Sequence, residues 1–523
     1  MISNSFRELW KNIPWKKLRR NLFRLQCRLW KAMRVGDKAK TKNLQKLILK
    51  SRSARLLAIR QVTQLNAGKK TARIDGQASL SFRERWELES VLEVKVWDWQ
   101  HEGLRKIPIA KKDGTKRMLK IPTIKDRAWQ CLVKYALEPA HEATFHERSY
   151  GFRTGRSAQD CQKILFLNLR SSSNGLNKRI LELDIEKCFD RINHNTLREL
   201  IIAPQSIKAG LMRCLKAGVN PEFPEQGTPQ GGVVSPLLAN IALNGIENIH
   251  YSVRYADDMV FLLKPQDKAE EILEKVASFL AKRGLNIKPA KTKLVASTEG
   301  FDFLGWHFIV QTNGKFRSYP SEENFKAFRQ KVKAIVNHSN YGAKVKAQKL
   351  APIVRGWRNY HRYCQLDGSR FSLWQLNHRT YKVFLKEKRV SRQMAVILAK
   401  KAFPPVSYSE NKHINVRGDY SPFNGDLVYW SKRQSKLYDG ATSRALIRQN
   451  HTCGYCGLKF IDEERIHLHH IDRNHSNGRV NNLLAVHESC HDYIHMSKRE
   501  SEDYREPSAV KVARSDLKER CGG

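Results

Sequence analysis

Two adjacent carboxylates, Asp257 and Asp258, stand between two β-prone runs in YSVRYADDMVFLLK, residues 251–264. Neighbouring like charges repel, so this pair needs a cation, solvent or a bound proton. Asp184 raises the same question, because it ends an apolar strand in RILELDIEKCFDRI, residues 179–192. By itself such an aspartate would be interpreted as a helix N-cap. Carboxylates from two strand ends can instead hold two Mg²⁺ ions for phosphoryl transfer, so we predict a metal site at Asp184 and Asp257, with Asp258 as a further ligand or a supporting group.

A glycine-rich loop, GTPQGGVVSPLLANIAL at 227–243, lies between these carboxylates in the chain. Gly227, Gly231 and Gly232 allow the backbone to approach a flat base and its phosphates. The Gln230 amide can hydrogen-bond across a nucleotide or template edge. Such a loop can also be an ordinary turn, but its place between the carboxylates favours nucleotide binding by Gln230 and Gly231.

A second kind of metal site is indicated near the C-terminus, where CGYC (453–456) and HESC (487–490) form a CxxC and HxxC pattern. Two closely spaced ligand pairs about thirty residues apart are typical of structural zinc. The alternative is a set of thiols in a small core, which a unit of this size rarely stabilises unaided. The predicted zinc ligands are Cys453, Cys456, His487 and Cys490.

Several elements that must position these groups follow from local patterns. Residues 1 to about 60 are basic and helical in pattern, and 104–124 predicts a β-hairpin around the Asp113-Gly114 turn signal. Apolar residues at helical spacing predict a helix from Ala269 to Leu280, with Gly284 as its C-cap. Strands alternating with helices make the middle of the chain α/β or α+β.

The last two hundred residues change in composition. Beyond about residue 320 the chain is helical in pattern, rich in Lys and Arg and studded with aromatic residues. Residues 403–430 are rich in Pro, Ser, Asn and Gly, which predicts a linker. A last unit, from about residue 445, holds the clustered Cys and His.

Length and charge set the class of protein. The 523 residues exceed what one core supports and suggest roughly three or four domains. With 95 Lys and Arg against 51 acidic residues, the net charge is +44, which indicates a polyanionic partner rather than a merely soluble surface. Dispersed cysteines outside the cluster are typical of a reduced, intracellular protein. No run of 18 apolar residues is present, so no membrane span is expected, and the basic N-terminus lacks the apolar stretch of a secretory signal.

The motifs LDIEKCFDRINH, GTPQGGVVSPLLANI, RYADDMVF, NIKPAKTKL and FDFLGWHF occur in the order of the palm and finger motifs of reverse transcriptases. With SYGFRTGRSAQD (149–160) and NAGKKTARIDG (66–76), the chain resembles the proteins encoded by group II introns over essentially its whole length. The resemblance implies a multidomain α+β chain with right-hand polymerase fingers and palm, a helical thumb called domain X, a basic DNA-binding segment and a small zinc-stapled ββα HNH domain. The implied boundaries are 1–95 for a basic N-terminal extension and the start of the fingers, 96–315 for fingers and palm, 316–400 for the thumb, 401–444 for the DNA-binding segment or linker, and 445–523 for the HNH endonuclease domain.

The resemblance assigns catalysis to Asp184, Asp257 and Asp258. It makes Phe189 a steric gate against a ribose 2′-OH, which argues against an RNA-copying RNA polymerase. Lys291 matches the lysine proposed to protonate the leaving pyrophosphate.

Two finger residues, Lys111 and Arg117, match positions that grip the incoming triphosphate in the family. Ordinary solvated surface charge is the alternative for these basic residues. Met118 and Lys120 replace the Pro and Gly usual in the family's RPLGIP motif, which leaves the geometry of the hairpin open.

The segment GWRNYHRY resembles the part of domain X that grips intron RNA and supports splicing. Aromatic rings interleaved with arginines suit stacking plus phosphate contact. The same rings at helical spacing equally suit a core, and both interpretations stay open, with the arginines on the RNA face. The predicted RNA-binding set is Arg355, Trp357, Arg358 and Arg362.

Five residues of the C-terminal unit are left over by the zinc assignment, and their pattern resembles the HNH nuclease motif, a ββα fold with one catalytic metal. His470 would be the general base that activates water. His469, His491 and His495 would bind the divalent ion, since the last two lie one helical turn apart. Asn482 would hold the loop between them.

These assignments together predict a multifunctional group II intron protein. It would bind its intron RNA and promote splicing, nick a target DNA strand, and copy the intron into DNA with dNTPs and Mg²⁺, in an intron ribonucleoprotein. Alternatives are an RNA-binding splicing cofactor with vestigial polymerase activity and a reverse transcriptase of another lineage. We expect a cytoplasmic bacterial protein that acts at the nucleoid, with an organelle as the alternative location.

Overall fold

The computed structural model describes residues 2–65, 71–110, 116–218, 225–366, 371–387, 390–438, 440–460, 466–474, 477–488, 490–491 and 494–495. They divide into two compact units, with the boundary between Gly425 and Asp426. Among these residues, no helix combines the length and the apolar character needed to cross a membrane.

The first unit begins with a helical layer, as the basic amphipathic pattern predicts. In α2 the buried side chains recur at three- and four-residue spacing, Leu22, Gln26, Leu29 and Ala32, so one face packs inward while Lys and Arg stay outside. A capping box between Ser81 and Glu84 starts α5. The helices are α1 (Ile2–Lys11), α2 (Trp15–Arg34), α3 (Lys38–Lys50), α4 (Arg52–Arg60) and α5 (Phe82–Lys95).

A β-hairpin follows, where the sequence predicts one. Strand β1 (Arg105–Ala110) pairs antiparallel with β2 (Lys116–Ile121), from Arg105↔Ile121 to Ala110↔Lys116. This register confirms the hairpin, while its predicted turn at Asp113-Gly114 lies outside the described residues.

The centre of the first unit is a four-stranded antiparallel sheet of strand order β4-β5-β3-β6, here called the palm sheet. Along β5 the side chains alternate between two cores: Met259 and Phe261 pack with one set of helices, and Val260 and Leu262 pack on the other face. Both faces are covered, which explains why MVFLL is continuously apolar. The strands are β3 (Arg179–Leu183), β4 (Ser252–Tyr255), β5 (Asp258–Leu263) and β6 (Lys293–Ala296).

Helices surround this sheet, and α12 confirms the amphipathic helix with Gly284 at its end. Gly284 has φ +72° and Leu285 N–H donates to the Leu280 carbonyl, as in a helix C-cap of the Schellman type. The helices are α6 (Ile124–Glu142), α7 (Ala158–Leu169), α8 (Cys188–Arg191), α9 (His194–Leu200), α10 (Gln205–Ala217), α11 (Ser235–Leu243) and α12 (Ala269–Ala281).

A three-stranded antiparallel sheet and four helices complete the thumb side of this unit. The helices pack around their own apolar core, which includes Phe328, Leu350 and Phe384. The elements are β7 (Phe301–Phe303), β8 (Trp306–Val310), β9 (Phe316–Pro320), α13 (Glu322–Val336), α14 (Ala343–Tyr360), α15 (Trp374–Leu385) and α16 (Arg392–Ala402).

The segment after α16 differs from the predicted linker. Residues 404–425, here called the strap, belong to the first unit, and His413 within it is 3% exposed. Its Nε2 lies 3.0 Å from Asp160 Oδ1 at the start of α7. The Pro-, Ser-, Asn- and Gly-rich composition predicts a linker, but His413 has a hydrogen-bond partner inside the first unit.

The second unit begins at Asp426, earlier than the predicted 445. It contains α17 (Leu427–Leu437), α18 (Gly440–Arg448) and an antiparallel pair, β10 (Ile466–His470) and β11 (Leu483–His487). Residues 488, 490–491 and 494–495 after β11 are helical.

Candidate active site

The three predicted catalytic carboxylates meet at one end of the palm sheet. Strands β3 and β5 pair up to Leu183↔Met259, and one further step of that register brings Asp184 opposite Asp258. Tyr255 pairs with Asp258 across β4 and β5, so Ala256 and Asp257 form a two-residue turn, here called the catalytic turn. The sheet therefore gathers carboxylates that lie more than seventy positions apart in the sequence.

These carboxylates lie close enough to repel one another. Loss of hydration, followed by repulsion from Asp257 and Asp184, raises the pKa of Asp258 to about 6, while Lys291 acts in the opposite direction. Burial, with the same two aspartates, also raises the pKa of the Cys188 thiol beside them. Oxygen ligands that repel one another in this way suit a hard divalent cation, which relieves the repulsion.

Lys291 lies within this cluster rather than on a remote surface. Its Nζ is 2.9 Å from Asp184 Oδ2, and this hydrogen bond raises the pKa of the lysine. The side chain is 61% exposed, so the ammonium is also open to a ligand in the site.

The glycine-rich loop joins the hairpin to the palm. The Gln230 carbonyl accepts from Lys120 N–H of β2 at 2.8 Å, and the Gln230 amide donates to Asp190 at 3.3 Å. Gly231 has φ +129°, and a Cβ there would lie 2.9 Å from the Lys120 carbonyl oxygen. Glycine is required at this position because the two backbones approach so closely.

Phe189 is held against this loop. Its carbonyl accepts from Thr228 N–H at 2.6 Å, and its ring meets Phe152 edge to face, with centroids 6.4 Å apart. Lys111 lies outside the described residues, and only the backbone of Arg117, on β2, is described.

In the GWRNYHRY helix end, the structure favours the core interpretation for Trp357. Its ring stacks on Phe328 at 4.5 Å, and its indole N–H donates to Asn324 at 2.9 Å. This position differs from the predicted RNA face because the ring fills a space between α13 and α14.

The three predicted arginines, two within that segment and one directly before it, differ in exposure. Arg355 is exposed, whereas Arg358 donates to the carbonyls of Phe403 and Pro404. Arg362 is 9% exposed and lies over the Tyr363 ring. Of these three, Arg355 alone has the exposure that the RNA prediction requires.

Two clusters in the second unit match the predicted metal ligands. Ligand atoms of Cys453, Cys456, His487 and Cys490 all lie within 4.8 Å of one another. Cys456 Sγ is 3.4 Å from His487 Nδ1, and hydrogen bonds from Cys456 and Cys490 lower the pKa of Cys453. Two or more thiols with an imidazole are the donor set that zinc prefers.

The second cluster joins His469 of β10 to His491 and His495, whose ligand atoms also lie within 4.8 Å of one another. His470 is half-buried next to this cluster in the strand and lies outside the set of three. Asn482 holds the intervening loop, because its amide donates to Asp472 Oδ1 at 2.8 Å and its Oδ1 accepts from Asp472 N–H at 2.9 Å.

Sequence reasoning missed the groups behind the catalytic turn. Arg254 of β4 is completely buried, pairs with Glu247 at 2.6 Å and donates to the Ala256 carbonyl at 3.0 Å. Gly151 lies directly against the same turn. A charged residue between Val253 and Tyr255 in a β-prone run was the available signal for Arg254.

Comparisons with known proteins agree with this arrangement. Family models match in three places: the N-terminal domain of reverse transcriptase at 10–92, reverse transcriptase (RNA-dependent DNA polymerase) at 109–308, and the group II intron maturase-specific domain at 325–396.

The two relatives from Euglena cover most of the chain. Maturase-like protein 1 of Euglena gracilis is 40% identical over 413 residues, which is 77% of this chain and 90% of that protein. Its counterpart in Euglena longa is 37% identical over 74% of this chain and 86% of its own length. The group II intron-encoded protein LtrA of Lactococcus lactis subsp. cremoris is 34% identical over 35% of this chain and 31% of its own.

Proposed function

The chain belongs to the reverse transcriptase and maturase family of group II introns, and on that premise we propose that it copies RNA into DNA at Asp184, Asp257 and Asp258. The convergence of these three carboxylates at one sheet end is the observation that carries the proposal. Reverse transcriptases generally use Mg²⁺, and the all-oxygen donor set fits that ion. When bound, Mg²⁺ would activate the primer 3′-hydroxyl and stabilise charge on the phosphates.

The remaining groups have separate roles in this proposal. Phe189 blocks a ribose 2′-OH, Gln230 and Gly231 line the nucleotide, and Lys291 gives a proton to the departing pyrophosphate. Lys111 and Arg117 would hold the triphosphate from the hairpin. The role of Phe189 is supported by its contact with the glycine-rich loop, and the role of Lys291 by its hydrogen bond with Asp184.

Primer extension with Asp257→Asn tests the polymerase site. Synthesis should be abolished, because an amide cannot replace the anionic metal ligand, while intron RNA binding should persist. Asp98→Asn is the matched control, since that carboxylate is 79% exposed and pairs with Arg213 at the surface. Synthesis at the wild-type rate by Asp257→Asn would contradict the assignment, and a wild-type protein that splices without polymerising would favour the vestigial splicing cofactor.

The maturase function of the family implies binding of intron RNA. We place part of that contact on Arg355, because this arginine directly precedes the GWRNYHRY segment and is exposed. Protein contacts made by Trp357, Arg358 and Arg362 give these residues a role in holding the RNA-binding helices in place.

For the second unit we propose a zinc-stapled HNH endonuclease that nicks target DNA so that the cut end primes reverse transcription. Support comes from two separate donor clusters next to an antiparallel strand pair followed by helical residues. In this proposal zinc is held by the cysteine-rich cluster, and the catalytic divalent ion by the three imidazoles. His470 removes a proton from water, and Asn482 fixes the loop.

Substitution of His470 tests the nuclease. His470→Ala should stop cleavage of target DNA without loss of splicing or primer extension, because the base acts only on water at the nuclease metal. His338→Ala, in the loop that follows α13 of the thumb, is the control. Persistent cleavage by His470→Ala would remove this residue from the role of base.

A further inference from the structure

The segment Ser149–Arg153 touches two parts of the polymerase site, the catalytic turn and the ring of Phe189. Its middle residue, Gly151, faces the catalytic turn: a Cβ there would lie 2.4 Å from Ala256 N and 2.8 Å from the Tyr255 carbonyl carbon. Ala256 itself has φ +58°, a left-handed conformation that costs energy for any residue with a side chain. The turn is therefore strained, and Gly151 lies against its backbone.

The next residue, Phe152, faces Phe189. The two rings meet edge to face at 81°, with centroids 6.4 Å apart. Phe152 is 47% exposed and has φ +57°, so a large apolar side chain is held at the surface in a strained conformation. Packing into a core explains neither the exposure nor the positive φ of Phe152, whereas a role in supporting the Phe189 ring explains both.

Buried polar side chains hold this segment at both ends. At one end Arg153 binds Glu142 through two hydrogen bonds of 2.9 and 2.8 Å and donates to the Ser149 carbonyl at 2.7 Å. Both charged side chains of this pair are 1% exposed. Such bidentate pairs hold geometry tightly because two parallel bonds must form together.

At the other end Ser149 reaches the strand that carries the turn. Its Oγ accepts from Arg254 at 2.8 Å, and the same guanidinium donates to the Ala256 carbonyl at 3.0 Å. Asn240 connects Gly151 to Arg254, because its amide donates to the Gly151 carbonyl at 2.8 Å and its Oδ1 accepts from Arg254 at 3.1 Å. The segment and the catalytic turn are thus held by one buried network.

We propose that Ser149–Arg153 is a positioning segment of the polymerase site, which sets the place of the catalytic turn through Gly151 and the orientation of the sugar gate through Phe152. Its role rests on the proposed polymerase function. The residues act through Asp257 and Phe189, and misplacement of a reacting group by about 1 Å can lower a rate by about a hundredfold.

Gly151→Ala tests the first half. In single-nucleotide incorporation, we expect the maximal rate to fall at least about tenfold, with the apparent Kd for dNTP and the affinity for primer-template unchanged. Gly342→Ala is the matched control, since a Cβ there would meet only Glu387 Oε2, at an ordinary contact distance of 3.7 Å. A folded Gly151→Ala protein with the wild-type maximal rate would overturn this half.

Phe152→Ala and Phe152→Tyr test the second half, and their surface position lets them fold even where Gly151→Ala does not. We expect the ratio of ribonucleotide to deoxynucleotide incorporation to rise at least about fivefold in Phe152→Ala and to stay near wild type in Phe152→Tyr, which keeps the ring edge. An unchanged ratio in Phe152→Ala would overturn the role of Phe152.

Different results would refute the polymerase assignment and the positioning segment. If Asp257→Asn kept its activity, the polymerase assignment itself would be wrong. If Asp257→Asn lost activity while Gly151→Ala and Phe152→Ala matched wild type in rate and discrimination, the positioning segment alone would be refuted.

Discussion

At the scale of single residues, the three carboxylates of the proposed active site repel one another, and a bound cation would relieve this repulsion. Asp258 has its pKa raised from 3.8 to about 6 by lost hydration and two neighbouring carboxylates. The Asp258 carboxyl group therefore binds its proton more tightly in the folded protein than in the unfolded chain. Consequently, the contribution of Asp258 to the free energy of unfolding falls as pH rises from about 4 through about 6, and is unfavourable at neutral pH.

Asp258→Asn should accordingly raise the thermal unfolding midpoint at pH 7 in EDTA, because it removes a charge that the fold disfavours. The gain should shrink as the pH is lowered toward 4, where the wild-type carboxyl is protonated. Mg²⁺ should stabilise wild type more than the variant, since the ion binds the native carboxylates. Differential scanning calorimetry across this pH range measures the effect, and a variant less stable than wild type in EDTA at pH 7 would contradict it.

At the scale of elements, the strap shows how polar residues can join distant parts of one unit. Besides the contact of His413 with Asp160, Asn411 accepts from Gln162 at 3.1 Å and its carbonyl accepts from Lys163 at 2.6 Å. The strap also contacts the helix end that carries the maturase motif, because Ser409 N–H donates to the Arg362 carbonyl. It therefore ties α7 of the palm to the thumb.

We expect His413→Ala to lower the free energy of unfolding by about 2 kcal/mol, because it leaves a buried carboxylate without one hydrogen-bond donor. Hydrogen exchange should accelerate in residues 409–425 more than in the palm sheet. Denaturant unfolding and exchange mass spectrometry measure the two effects. His338→Ala serves as control, and unchanged exchange in the strap would show that His413 does not hold it.

At the scale of the whole molecule, the two units depend on different sources of stability. The first unit contains extensive apolar cores around the palm sheet and between the thumb helices. Among the residues that the structure describes, the core of the second unit is much smaller and includes Cys453 and Cys490, two proposed zinc ligands. A small core of this kind usually needs a metal or disulfide, so zinc should contribute directly to its folding.

Removal of zinc should therefore unfold the second unit and leave the first folded. Cys456→Ser, or a zinc chelator on wild type, should expose residues after 425 to limited proteolysis and abolish target cleavage, while primer extension continues. Cys27→Ser, which alters a thiol on α2, is the control. Equal protease resistance of the second unit with and without zinc would refute the structural role of the metal.

Local sequence information was enough for much of the fold and of the candidate site. The hairpin at β1 and β2, the helix α12 with Gly284, and the strand ends bearing Asp184 and Asp257 follow from period-two and helical patterns that act over a few residues. The predicted zinc ligands were selected by spacing and the three histidines by their resemblance to the HNH motif, and the structure brings each set together. Reverse transcriptase membership, inferred from ordered motifs, is confirmed by the family match at 109–308.

Tertiary structure decided the contacts between segments far apart in the chain. Only the folded chain places Gly151 beside Ala256 and buries Arg254 against Glu247. It also packs Trp357 into the thumb core and brings His413 of the strap into contact with Asp160. Periodicity indicates which side of an element faces inward, but it does not identify the distant residue that packs against that side. Polar side chains add to the difficulty, because a buried partner can satisfy a residue that the sequence alone assigns to solvent.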